Sequence, residues 1–121
     1  MAESHDLGQR GEEEAAKYLA GKGYRILYRN WKSGRLEIDI IAETEEFMVF
    51  AEVKTRSADY LIDPASAVTP GKQKSLILAA ERYIKRYNID KDSRFDIITI
   101  ISRGSHYQIE HIENAYYPNL K

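Results

Sequence analysis

The sequence contains no cysteine and only three prolines in 121 residues. The absence of thiols excludes disulfide scaffolds, thiolate zinc sites and cysteine nucleophiles. No apolar run approaches the roughly 18 residues of a membrane span, and residues 1–6 have neither the basic start nor the apolar core of a signal peptide. We therefore expect no membrane association and a cytoplasmic location.

Neither sign of charge dominates the chain. Lysine and arginine number 18 against 19 acidic residues, which gives a formal net charge of -1. Such a balance is unusual for a protein that coats nucleic acid by bulk charge, so any nucleic-acid contact must come from a local patch. No linker or repeat divides the sequence, and its length suits one domain over residues 1–121.

The hydrophobic patterns predict an α/β fold. Two helices and five strands are expected at residues 7–20 (helix), 24–28, 36–40 and 47–54 (strands), 69–87 (helix), and 95–101 and 107–112 (strands). Residues 55–69 show no clear period and are left unassigned. Short turns predict hairpins, so the central sheet of about five strands is mixed and flanked by helices in the order αβββαββ.

An acidic pair followed by a lysine is the most informative pattern. Strand alternation places Glu52 and Lys54 on one side of their strand, and a hairpin with the preceding strand would bring Asp39 close to Glu52. Two neighbouring carboxylates repel each other, and a divalent cation such as Mg²⁺ or Mn²⁺ relieves that repulsion. The pattern suits a metal-dependent phosphodiesterase in which Lys54 acts on the attacking water or on the phosphorane charge. The alternative is a solvated salt bridge at an exposed strand end.

The surrounding motifs carry a family resemblance. They are Gly11-Glu12-x-x-Ala15-x-x-Tyr18-Leu19, Glu37-Ile-Asp39-Ile-Ile-Ala42, Phe50-Ala-Glu52-Val-Lys54-Thr-Arg56, Val68-Thr-Pro-x-Lys72-Gln73 and Arg94-Phe-Asp-Ile-Ile98. Together they closely resemble the YraN-like family of small bacterial proteins. Those proteins are predicted endonucleases, distantly related to archaeal Holliday junction resolvases and placed in the PD-(D/E)XK nuclease superfamily.

The resemblance implies roles for individual residues. It makes Asp39 and Glu52 metal ligands and Lys54 the catalytic lysine, with Glu12 as a further acidic ligand and Gln73 as a further member of the site. Ile38 stands where the superfamily pattern has proline. The implied substrate is DNA, including branched DNA such as Holliday junctions.

Two of the acids have alternative interpretations. Glu12 lies in an acidic first turn, where the helix dipole favours any carboxylate, and Glu13 and Glu14 would serve equally. Glu37 shares the strand face of Asp39, so it is either a ligand or the partner of Arg35 or Lys54 in an exposed salt bridge.

The second helix predicts a basic face opposite its apolar face. Its five cations are Lys72, Lys74, Arg82, Lys85 and Arg86, and its predicted core face includes Tyr87. We expect Lys72, Gln73 and Lys74 to contact nucleic acid, although a solvated helix face has the same pattern. Arg56 would hold a phosphate near the metal. Trp31, in a polar stretch, is the expected surface for base stacking, whereas most tyrosines are expected in the core.

The three histidines have no spacing suited to a metal site or a nucleophile–base pair, since His106 and His111 would face opposite ways on one strand. The expected function is therefore a Mg²⁺-dependent endonuclease acting on DNA. A homodimer would suit a symmetric junction, and a protein partner that supplies specificity is equally open. The alternative is a non-catalytic nucleic-acid or protein interaction module with the same fold.

Overall fold

A five-stranded sheet lies between two helices. The computed structural model describes residues 2–57 and 69–116. The elements are α1 Ala2–Gly21, β1 Arg25–Ser33, β2 Leu36–Glu43, β3 Phe47–Ser57, α2 Pro70–Tyr87, β4 Asp92–Arg103 and β5 His106–Tyr116. The predicted α/β class and the order αβββαββ are confirmed. Neither described helix is apolar over a stretch long enough to cross a membrane.

The strands lie side by side in their sequence order, β1-β2-β3-β4-β5. Neighbouring strands are antiparallel except β3 and β4, which are parallel. A parallel pair needs a crossover between its strands, and the connection that contains α2 supplies it. The sheet is therefore mixed, and its central strands are covered on both faces.

The two faces of the sheet form separate cores. Phe50 of β3 packs with Leu76 and Tyr83 on the α2 side. Ala51, the next residue along β3, packs with Ala15 and Leu19 on the α1 side. Strand alternation thus assigns Glu52 and Lys54 to the same side as Phe50, which is the side that α2 covers.

All five strands extend beyond the bounds that their sequence patterns predicted, and β1 and β3 show why. β1 continues to Ser33, and β3 continues through residues 55–57 of the unassigned segment; residues 58–68 of that segment lie outside the described residues. The pairing of β1 with β2 shifts between Ile26 and Tyr28, and Asn30 adopts φ 53°. These irregularities interrupt the alternation of buried and exposed side chains, so the sequence of the second half of β1 does not have the pattern of a strand.

Trp31 corrects one expectation. Its side chain is buried, with 7% exposure, and its ring meets Tyr83 of α2 edge-on at 5.4 Å between centroids. It is therefore unavailable for base stacking. Tyr87, predicted on the core face of α2, is 39% exposed, as is Tyr28 of β1. The polar neighbours of Trp31 misled the prediction because they are exposed on a strand whose tryptophan points inward.

The start of α2 follows the prediction closely. The Thr69 hydroxyl accepts a hydrogen bond from the Lys72 amide at 3.2 Å, and Pro70 occupies the first turn. Both features are typical of helix N-termini because they satisfy or remove unpaired amide groups. The cap fixes the first turn of α2 and with it the point from which the Lys72 side chain leaves the helix.

Gly11 allows α1 to lie close against β3. A Cβ atom at this position would collide with the side chain of Thr55, the residue after Lys54. The contact also sets the position of Glu12, the next residue of the helix. Glycine is required here because of close approach, since no unusual backbone angle is involved.

We predict that Gly11→Ala destabilises the protein by roughly 1–3 kcal/mol, the usual effect of overpacking a close contact. Gly71→Ala is the matched control, because Gly71 is also helical but has nothing within 4 Å of an added Cβ. That change should be neutral or stabilise by up to about 1 kcal/mol. Urea unfolding of both variants measures the difference, and equal stabilities would contradict the close-packing account.

Candidate functional site

The pairing of β2 with β3 ends at the acidic pair. The last paired residues are Ile40 and Ala51, and one more step in this antiparallel register would place Asp39 opposite Glu52. Instead, the Asp39 carboxylate accepts a hydrogen bond from the Val53 amide at 2.9 Å. A side-chain oxygen thus replaces the backbone carbonyl that would otherwise continue the ladder.

The side-chain alternation of β2 is also interrupted at this point. Ile38 packs in the core on the α2 side, whereas Ile40 packs on the α1 side, although regular alternation would place both on one face. Asp39 lies between them. Its carboxylate interacts electrostatically with Glu52, which is on the α2 side, and with Glu12 of α1. The irregular backbone therefore places Asp39 between two acids that come from different layers.

A cleft of about 280 Å³ opens beside the pair. Asp39 and Glu52 both line it, and the exposed side chain of Lys72 reaches it from α2. The other described residues that line the cleft are Arg35, Leu36, Glu37, Ser75 and Leu76. The predicted approach of Asp39 to Glu52 is thus confirmed, at the place where the sheet core gives way to a polar opening.

Two lysines neutralise the acids. The Glu52 side chain is only 7% exposed, and its Oε2 atom lies 3.9 Å from Lys54 Nζ and 3.6 Å from Lys72 Nζ. Lys54 was expected here by alternation. The proximity of Lys72 to Glu52 was not expected, because helical periodicity placed Lys72 on the basic face of α2, opposite its apolar face. Lys72 leaves α2 in its first turn, where the helix end lies over the strand.

The proximity of the two carboxyls alters the ionisation of Asp39. Burial, followed by repulsion from Glu52 and hydrogen bonding with it, raises the pKa of Asp39 to about 7. The Val53 amide and the Lys72 ammonium act in the opposite direction and do not overcome these effects. At neutral pH Asp39 is therefore protonated in about half of the molecules, and a bound cation would displace that proton.

The two lysines ionise differently. Burial and then the hydrogen bond with Lys72 lower the pKa of Lys54. For Lys72, burial acts to lower the pKa, but the hydrogen bond with Lys54 and the charges of Glu52 and Asp39 outweigh it, so its pKa is raised. Lys54 is therefore the amine that loses its proton more easily, and Lys72 is the one that remains an ammonium ion.

Glu12 lies near the pair but is not joined to it. Burial and the charge of Asp39 raise the pKa of Glu12, while a hydrogen bond from Asn30 opposes this. Across the part of the chain that the structure describes, no three histidine or acidic side chains are grouped closely enough to hold a metal ion. Glu12 as a third ligand stays a prediction that would require its side chain to move toward Asp39.

Two buried hydroxyl groups lie on the strands β4 and β5, beyond β3. Thr99 Oγ1 and Tyr116 Oη have no hydrogen-bond partner among the residues described. Thr99 pairs with Lys54 across the parallel strands, and the charge of Glu52 adds to burial in raising the pKa of Tyr116. Buried hydroxyls without partners call for an explanation. Independently of these hydroxyls, two carboxylates that line one polar cleft are oxygen ligands of the kind that Mg²⁺ prefers, so Asp39 and Glu52 fit this cation.

The other predicted site residues lie around this centre. Arg56 is half-buried on β3, two residues beyond Lys54; Gln73 is half-buried and Lys74 exposed on α2, next to Lys72. Their predicted contacts with nucleic acid stay predictions. Glu37 lines the cleft but forms its ion pair with Lys32, at 4.0 Å, rather than with Arg35 or Lys54. Pairing between β1 and β2, which sets Lys32 beside Glu37, explains the difference.

A second charged network was missed by the sequence analysis. Asp96, fully buried on the α1 side of β4, accepts hydrogen bonds from Arg94 at 2.8 and 2.9 Å and lies 2.7 Å from His111 Nε2. It also accepts the Asn114 amide where the β4–β5 register shifts. Although burial acts to raise the pKa of Asp96, these hydrogen bonds lower it. The network joins β5 to the sheet on the face opposite Glu52, so we interpret it as structural.

Comparison with known sequences identifies relatives of the whole chain. The sequence model of the Uncharacterised protein family UPF0102 matches residues 11–100. UPF0102 proteins of Phocaeicola vulgatus and Bacteroides thetaiotaomicron are 44% and 45% identical to the chain over 120 residues, covering 99% of each sequence. One from Chlorobium phaeobacteroides is 47% identical over 119 residues, covering 93% of this chain and 94% of its own. None of these names states an activity.

We predict that Asp39→Asn stabilises the metal-free protein increasingly as pH rises from about 4 to 7. The folded pKa of about 7 lies above the ordinary value of 3.8. In this range the wild-type fold retains a proton that the unfolded chain has released, so the stability of the wild type falls as the pH rises. The difference should reach roughly 1–4 kcal/mol above pH 7. Asparagine can still accept the Val53 amide.

Urea unfolding between pH 4 and 8, with a chelator present, measures this effect. Glu37→Gln is the matched control, because Glu37 lines the same cleft but its side chain is 46% exposed. It should show no comparable dependence on pH. A stability difference for Asp39→Asn that stays constant across the range would show that the pKa of Asp39 is not raised in the folded protein.

Proposed function

The chain belongs to the UPF0102 family, and we propose that it is a metal-dependent endonuclease that hydrolyses phosphodiester bonds in DNA. The observation that carries this proposal is the close approach of Asp39 and Glu52 in one cleft with Lys54 Nζ 3.9 Å from Glu52. A mixed sheet in the order αβββαββ supports placement in the PD-(D/E)XK superfamily, which the motif resemblance implies.

The residues divide into distinct roles. Asp39 and Glu52 would hold Mg²⁺ or Mn²⁺, with Glu12 as a third acid that approaches from α1. When bound, the cation supplies a lowered water pKa and neutralises charge on the phosphodiester. Lys54, whose pKa is lowered, would accept a proton of the attacking water as the water oxygen bonds to phosphorus. The phosphorus–oxygen bond to the leaving group then breaks, and the departing oxygen takes a proton from solvent.

Lys72 has a different task from Lys54. It remains an ammonium ion beside Glu52, so it balances the acid until substrate arrives and then turns to a phosphate oxygen. Arg35 lines the same cleft and provides a second cation for the phosphate backbone. Arg56, Gln73 and Lys74 extend the proposed contact with DNA beyond the cleft.

A specific observation favours a second candidate, a non-catalytic interaction module. Glu52 already has two ammonium partners, so its charge is balanced without a metal. The module would use the same surface to bind nucleic acid or protein, and the acids would serve only the fold. The enzyme is preferred because two close acids destabilise a structure that has no cation to place between them.

Cleavage assays test the enzyme directly. Duplex, single-stranded, flap and four-way-junction DNA are incubated with Mg²⁺ or Mn²⁺, and the products are resolved on gels. We predict cleavage that requires the metal and falls at least roughly 100-fold in Lys54→Ala, which loses its general base. A two-fold symmetric junction cut at paired positions would support a homodimer.

Lys17→Ala is the matched control for these assays. Lys17 is an exposed lysine of α1, with its side chain 74% exposed, and its loss should leave cleavage unchanged. Circular dichroism confirms that each variant folds. DNA binding without cleavage on any substrate would favour the module, and cleavage unaffected by Lys54→Ala would contradict the proposed mechanism.

We also predict that Lys72→Ala binds Mn²⁺ about five-fold more tightly than wild type when no DNA is present. The ammonium lies 3.6 Å from Glu52 and competes with the metal, although its partial exposure limits the effect. Isothermal titration calorimetry measures the affinity. Lys32→Ala is the control, since Lys32 pairs with Glu37 instead. Weaker binding by Lys72→Ala would contradict the competition.

A further inference from the structure

Two exposed tyrosines form a pair at the far end of α2. Tyr28 of β1 and Tyr87 of α2 are each 39% exposed, and among described residues only Leu78 is a comparably exposed large hydrophobic side chain. Their ring centroids are 5.9 Å apart, and their hydroxyls lie 3.4 Å apart. The pair thus presents adjacent aromatic surface to solvent.

The pair is held in place from below. Tyr83, which is buried, contacts Tyr87 at 4.7 Å and Tyr28 at 5.8 Å between ring centroids. Tyr83 in turn meets the buried rings of Trp31 and Phe50. The exposed rings are therefore the outer end of an aromatic cluster that extends into the core, and a ligand would meet them already positioned.

Positive charge links this pair to the cleft. Lys72, Arg82 and Arg86 project within about 80° of one another around α2, at 100° per residue. Arg86 lies over the Tyr87 ring at 5.5 Å, and Arg82 donates a hydrogen bond to the Ser33 carbonyl of β1. From Lys72 to Tyr87 the helix rises about 22 Å.

We propose that Tyr28 and Tyr87 form a stacking site for unpaired bases of a single-stranded segment whose backbone follows the cations of α2. Aromatic rings beside arginine suit single strands, because bases in a duplex do not expose their faces. The inference rests on the proposed action on DNA and specifies its substrate further: a nucleic acid with unpaired bases about 22 Å from the phosphate at the cleft.

Fluorescence anisotropy tests the site with labelled dT12 and a 12-base-pair duplex, in a chelator so that cleavage plays no part. We expect Tyr87→Ala and Tyr28→Ala to weaken dT12 binding roughly ten-fold and duplex binding less than two-fold. Tyr87→Phe should keep the affinity for dT12, because it keeps the ring. Leu78→Ala is the matched control on the same helix and should bind both probes as wild type does.

Equal losses on both probes, or no loss on either, would overturn the stacking site. A change in sedimentation on Tyr87→Ala with dT12 affinity intact would also overturn it and assign the surface to a second copy of the chain.

Photocrosslinking tests the site in the wild-type protein, so its result does not depend on the stability of a variant. The probe is dT12 that contains 5-iododeoxyuridine. Adducts should map to Tyr28 or Tyr87, and adducts elsewhere contradict the site. These binding and crosslinking measurements need no metal, so they can be interpreted even if the protein does not cleave DNA.

Discussion

Repulsion between two carboxyl groups on neighbouring strands is the constraint on which the site depends. Asp39 and Glu52 share one small cleft, and burial followed by repulsion from Glu52 raises the pKa of Asp39 to about 7. Each nearby charge can be understood as a response to that repulsion. Lys54 and Lys72 meet Glu52, the Val53 amide meets Asp39, and a divalent cation would satisfy both acids at once.

The two carboxyl groups come close together at a point where the hydrogen bonding between β2 and β3 ends. Asp39 accepts a backbone amide where the β2–β3 ladder ends, and Asp96 accepts one where the β4–β5 register shifts. The two aspartates have opposite environments, since Asp96 is surrounded by donors and Asp39 faces another acid. In both places an aspartate accepts a backbone amide where strand pairing is interrupted. At Asp96 this stabilises the sheet, whereas at Asp39 it leaves two carboxyl groups close together.

Much of this arrangement could be predicted from the sequence. Alternation placed Glu52 and Lys54 together, and Thr69-Pro70 located the start of α2, because both depend on local geometry. The interruption at Asp39, the inward direction of Trp31 and the reach of Lys72 to Glu52 could not be predicted. The first two follow from irregular pairing of strands, and the third from where a helix end lies over the sheet.

The exposed end of the aromatic cluster was also not predicted from the sequence. The polar neighbours of Trp31 indicated a surface position and helical periodicity placed Tyr87 in the core, and the structure reverses both. Such differences move side chains between the core and the surface without changing the fold. The fold can therefore be predicted correctly while the exposed side chains are not. Surface chemistry for this chain has to be read from its three-dimensional structure.

The central claim is that the paired acids form a cation site from which Lys72 withdraws. X-ray diffraction from crystals grown with Mn²⁺, measured near the manganese absorption edge, tests it most directly. The account predicts an anomalous peak between the carboxylates of Asp39 and Glu52, with Lys72 Nζ no longer beside Glu52. A peak at other residues, or no peak with the Lys72–Glu52 pair intact, would contradict it.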